Sequence, residues 1–122
     1  MECLGAIDAY TSVAYSLSVI FIETRIFTED VIELLSDDEY SELQRHLAEH
    51  PESGDLIKET GGLRKVRWAA GGKGKSGGVR VIYYSVSAAS QIRMILIYKK
   101  GVQDDLTPKQ KAVLRKINEG WQ

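Results

Sequence analysis

Residues 79–99 read VRVIYYSVSAASQIRMILIYK. Two runs rich in branched and aromatic side chains, 79–86 and 92–99, flank a short stretch of small polar residues. Such side chains fit a pleated, half-buried surface, and the small residues fit a tight reversal. The stretch therefore predicts an antiparallel pair of strands. Upstream, LRKVRWA (63–69) is a third strand candidate, with Leu63, Lys65 and Arg67 on one face and Arg64, Val66 and Trp68 on the other. A three-strand meander results. Farther back, SVIFIET (18–24) also reads as a strand.

The helices announce themselves by their caps. Thr28 is expected to cap a short helix over Glu29–Leu35. Ser36-Asp37-Asp38-Glu39 is a capping box, in which Ser and Glu satisfy each other's backbone amides. The helix it opens carries Tyr40, Leu43 and Leu47 on one face and stops at Pro51. Residues 51–62, with Gly54, Gly61 and Gly62, read as loop. GGKGKSGG (71–78) has five glycines and favours no regular element. Thr107-Pro108-Lys109-Gln110 starts the last helix, whose apolar stripe is Val113, Leu114, Ile117 and Trp121. The expected order is β-α-α-β-β-β-α. Strands that cluster rather than alternate with helices predict an α+β fold: a small, mostly antiparallel sheet with two N-terminal helices and one C-terminal helix. Residues 1–17 read as an N-terminal extension to a single domain over 18–122.

With 122 residues the chain has room for one core. The single cysteine, Cys3, cannot form an internal disulfide. The first twenty residues lack Lys and Arg, so no signal peptide is expected, and no apolar run reaches membrane-spanning length. A cytoplasmic location without membrane attachment is the expectation. The net charge of −1 conceals an asymmetry: residues 1–60 sum to −11 and residues 61–122 to +10. The window 63–100 holds nine Lys and Arg and no Asp or Glu. That pattern is the footprint of a polyanion partner, or else of a solvated basic face neutralised by the acidic half.

Two motif matches fail on context. Ala69-x-x-x-x-Gly74-Lys75-Ser76 fits a relaxed phosphate loop, but a strand pattern follows where a helix N-terminus is required. His46-Leu47-Ala48-Glu49-His50 fits H-x-x-E-H, but Pro51 ends the helix at the second histidine and the chain has no third. No metal and no cofactor are expected.

The basic strands suggest a chemistry. Lys65 and Arg67 share a face, on which Arg80 and the Lys99–Lys100 pair are expected to converge. Arginine can engage two phosphate oxygens at once. A lysine crowded by arginines is disfavoured as a cation and can act as a base near neutral pH. RNA supplies its own nucleophile in the 2′-hydroxyl. Arg64, Arg93, Lys99 and the loop residues Lys73 and Lys75 are candidate backbone contacts. Trp68, Tyr83, Tyr84 and Tyr98 either stack on bases or fill the sheet's own surface.

The segments Thr60-Gly61-Gly62-Leu63-Arg64-Lys65-Val66-Arg67, Gly72-Lys73-Gly74-Lys75-Ser76-Gly77-Gly78-Val79-Arg80-Val81-Ile82-Tyr83-Tyr84 and Ile97-Tyr98-Lys99-Lys100 resemble the RelE/HigB branch of the RelE/ParE superfamily, the toxins of bacterial type II toxin–antitoxin systems. The likeness spans roughly residues 18–122. It implies a RelE-like toxin that enters the ribosomal A site and cleaves translated mRNA by metal-independent 2′-hydroxyl attack. It also implies a cognate antitoxin with a DNA-binding domain, and operator DNA reached only through that complex. By resemblance, the catalytic basic positions are Lys65, Arg67, Arg80 and Lys100, or Lys99 in its place. Some members carry a catalytic tyrosine shortly after the last strand, where this chain has Leu106; Tyr98 is the nearby substitute, at a different spacing. Two other readings compete: a ParE-like inhibitor of DNA gyrase on the same fold, and a non-catalytic RNA- or ribosome-binding module.

Overall fold

The computed structural model describes residues 19–71, 78–102 and 105–121. In chain order it contains β1 (Ile20–Glu23), α1 (Arg25–Leu34), α2 (Asp37–Glu49), β2 (Asp55–Leu56), β3 (Arg64–Trp68), β4 (Val79–Val86), a 3-10 turn (Ser87–Ala89), β5 (Gln91–Lys99) and α3 (Pro108–Glu119). The five strands form one sheet in the order β1-β5-β4-β3-β2. β2 to β5 pair antiparallel, while β1 lies parallel to β5. The fold is thus α+β with a mostly antiparallel sheet. The expected element order needs one correction: residues 51–62 are not all loop, because Asp55 and Leu56 pair with Lys65 and Arg64 as a short edge strand. Residues 1–18 and the Lys73–Lys75 loop lie outside the described residues.

Alternation along the strands sends apolar side chains to both faces, so the sheet is covered on both. On one face Val66, Val79, Val81, Tyr83, Met94 and Ile97 meet Phe27 and Val31 of α1 and Leu43 and Leu47 of α2. On the other, Leu63, Ile82 and Ile95 meet Leu106 and Leu114, the latter from α3. A bulge interrupts β4–β5 pairing: Ile82 opposes Leu96, and the next pair is Tyr83 with Met94. The extra residue on β5 shifts its alternation by one. Arg93 and Tyr98, five positions apart, consequently both lie on the α3 face.

The first helix starts four residues earlier than expected. Thr24, not Thr28, is its cap: the Thr24 hydroxyl oxygen accepts the Phe27 amide at 3.1 Å and its O–H donates to the Ile95 carbonyl at 2.8 Å. Thr28 sits within the helix and donates back to the Thr24 carbonyl. The capping boxes at Ser36/Glu39 and Thr107/Gln110 form as read. Among the described residues no helix is long and apolar enough to cross a membrane.

Candidate nucleic-acid interface

Strand register assembles the site. Arg67 of β3 stands directly opposite Arg80 of β4, and Arg80 stands opposite Tyr98 of β5. Three side chains therefore form one row across three neighbouring strands, on the α3 face. Lys65 lies on the same face, two residues along β3, or about 6.6 Å away. Like charges directly opposite on a sheet are destabilising. The Arg67–Arg80 pair is thus a local conflict of the kind expected at a functional site rather than in a scaffold.

Arg80 is half-buried, with Nη1 3.3 Å from the Val79 carbonyl oxygen, whereas Arg67 is exposed. The Tyr98 hydroxyl is buried and has no hydrogen-bond partner among the described residues. Burial raises its pKa above the ordinary phenol value, opposed by the positive charge of Arg80 and reinforced by the carboxylate of Asp105. Lys65 Nζ lies 3.6 Å from Asp105 Oδ1; the lysine side chain is 25% exposed and the aspartate 89%. A cleft of about 420 Å³ opens beside the row, with Lys65, Arg67 and Asp105 in its wall.

Other candidate residues are placed elsewhere. Lys99 pairs with Val79 and so falls on the opposite face. With Lys100 it lines a separate groove beside Glu33 and Leu34 of α1. Lys99 therefore does not converge with Arg80, and Lys100, one residue past the end of β5, lines the same groove as Lys99. Arg64 donates to the Gly54 carbonyl at 2.8 Å and the Glu52 carbonyl at 3.2 Å, pinning the turn that leads into β2. Arg93 lies against the rings of Tyr84 and Trp121 and donates to the backbone and side-chain oxygens of Asn118. Both guanidinium groups hold the fold together.

The aromatic residues divide in the same way. Tyr83 is fully buried; its hydroxyl donates to the Pro51 carbonyl at 2.8 Å and accepts the Gly54 amide at 3.0 Å. Trp68 donates from its indole to the Glu39 carbonyl, with its ring 5.1 Å from that of His46. Stacking on bases is closed to Tyr83, and Trp68 serves the seam between β3 and α2. His46 also lies 3.0 Å from the Ser53 hydroxyl, and no group of three or more His, Cys, Asp or Glu placed to hold a metal occurs among the described residues.

Two cations of the cleft were not among the sequence candidates. Lys58 follows β2, and Lys111 projects from α3. Neither belongs to the basic window, so only the fold brings them beside Lys65 and Arg67. A scan against protein-family models finds no match for this chain.

Proposed function

We propose that this chain is the toxin of a type II toxin–antitoxin system, an endoribonuclease that cleaves mRNA on the ribosome and so inhibits translation. The observation that carries this reading is the Arg67–Arg80–Tyr98 row with Lys65 beside it. The arginines hold the non-bridging oxygens of one phosphodiester and stabilise the extra charge as the phosphorus becomes five-coordinate. The 2′-oxygen, its developing charge offset by the Lys65 ammonium, loses its proton to solvent and bonds to phosphorus; the bond to the 5′-oxygen breaks, leaving a 2′,3′-cyclic phosphate. The departing 5′-oxygen takes its proton from Tyr98. The phenol is protonated at neutral pH and so carries the proton to be donated; its raised pKa makes it a weaker acid, which the neighbouring charge of Arg80 opposes.

Translation in a cell-free extract, with mRNA 5′ ends mapped, tests the proposal. Cuts within codons should require ribosomes and should vanish in Lys65→Ala/Arg80→Ala. Undisturbed translation combined with inhibited gyrase supercoiling would replace this reading with the gyrase-directed one. Ribosome binding without cuts would leave a non-catalytic module.

A further inference from the structure

We infer that Lys58 and Lys111 form a second phosphate subsite in the cleft, which holds the backbone phosphate next to the one bound at Arg67 and Arg80. The inference rests on the mRNA-cleavage reading and extends it to the length of strand the protein grips.

The cleft has cations at two places. Lys65 and Arg67 come from β3, Lys58 from the segment after β2, and Lys111 from α3. Lys111 repeats the arrangement seen at Lys65. Its side chain is only 23% exposed, and its ammonium lies 3.8 Å from Glu59 Oε1, whose side chain is 76% exposed. In each pair the cation is the more enclosed partner and the carboxylate the more exposed one. Ion pairs with one partner so exposed contribute little, so a phosphodiester can displace the carboxylate at small cost. The phosphate offers two charged oxygens and bonds more strongly to an enclosed ammonium than to a solvated one.

Besides these cations and the carboxylates of Asp55 and Asp105, the lining is aliphatic: Leu56, Ile57 and Leu106. Leu56 is 61% exposed, leaving apolar surface open to solvent in the cleft wall. A sugar and the flank of its base suit that surface, with charged phosphates before and after. No aromatic ring and no amide side chain lines the cleft among the described residues. The nucleoside there is accordingly held by shape and not by stacking or base-edge hydrogen bonds, and all four bases should be accepted at this position.

NMR titration of the folded chain with two probes that cannot be cleaved tests the subsite. One is a 2′-O-methyl dinucleoside monophosphate, with one phosphate; the other is a 2′-O-methyl trinucleoside diphosphate, with two. The longer probe should bind about tenfold tighter, as one added charge-assisted contact would give. It alone should shift the amide signals of Lys58 and Lys111. In Lys58→Gln/Lys111→Gln the tenfold gain should disappear, and in Lys111→Gln alone part of it should remain; the spectra themselves report that each variant is folded. Equal affinity of the two probes for the wild-type chain, or a gain that survives the double substitution, would overturn the subsite and leave the mRNA-cleavage reading standing. If neither probe shifts Lys65, Arg67 or Arg80, the reading beneath it falls as well.

Discussion

Tyr83 and Tyr98 show how differently one residue type can be used in one sheet. Tyr83 is stitched to the 51–54 turn by two hydrogen bonds, so Tyr83→Phe should lower stability by about 1–3 kcal/mol in urea denaturation, the cost of leaving buried partners unmet. The Tyr98 hydroxyl meets no partner, so Tyr98→Phe should leave stability unchanged or slightly raised. The same change should slow mRNA cleavage roughly 10²-fold or more, as expected for a lost general acid. A stable but slow variant would match the proposed role; a stable variant of full activity would remove Tyr98 from the mechanism. Because the raised phenol pKa exceeds its ordinary value of 10.0, the acid should fail only at pH above 10. At this scale the site was partly legible. Period-2 alternation placed Lys65 and Arg67 on one face, but the fates of Arg64 and Arg93 depend on carbonyls and rings contributed by distant segments. Lys58 and Lys111 stood outside any basic run, and no local pattern marks them.

The elements were clearest where their ends carry chemistry of their own. Val79–Val86 is the strand its residues describe, and both capping boxes formed because every partner lies within three positions. Thr24 was missed since its cap lacks the reciprocal Glu or Gln, and its second bond reaches Ile95 in another strand. β2 was missed because two residues carry no period. Thr24→Ala should cost about 1 kcal/mol or somewhat more, since it loses a cap and a link from α1 to β5. Glu39 joins elements in a similar way: it accepts the Ser36 and Gly71 amides, and these bonds hold its carboxyl below its ordinary pKa of 4.5. A depressed carboxyl contributes stability that is present above 4.5 and lost as the pH falls through the lower folded value. Acid unfolding of Glu39→Gln should therefore show a weaker pH dependence below pH 4.5 than wild type. An unchanged acid limb would mean that Glu39 does not hold α2 to the end of β3. Gly78 marks another junction, where a Cβ would overlap the Trp68 carbonyl oxygen; Gly78→Ala should part β3 from β4 and abolish cooperative folding.

Across the whole molecule, the charge asymmetry of the sequence becomes an asymmetry of space. The acidic helices α1 and α2 cover one face of the sheet. The lysines of α3 and the arginine row occupy the other. Lys99 and Lys100 line the groove beside α1, whereas Lys65, Arg67 and Arg80 lie on the α3 side, the side a polyanion would be steered to. Neutralising the two phosphates of the proposed site on single-stranded RNA predicts a slope of log affinity against log salt near about −1.4. Lys65→Ala/Arg80→Ala should flatten it by about 0.7, the share of the one phosphate they contact. An unaltered slope would place the contacts elsewhere on the surface.

The parallel pairing of β1 with β5 spans a separation of 71 residues, the same that divides Thr24 from Ile95. Synthesis at 5–20 residues per second makes β1 wait roughly 4–14 s for its neighbour. The arginine row closes later still, since Tyr98 is the last of its members to be joined to the chain. A nascent copy thus lacks the complete Arg67–Arg80–Tyr98 row until Tyr98 has been added and β5 has paired.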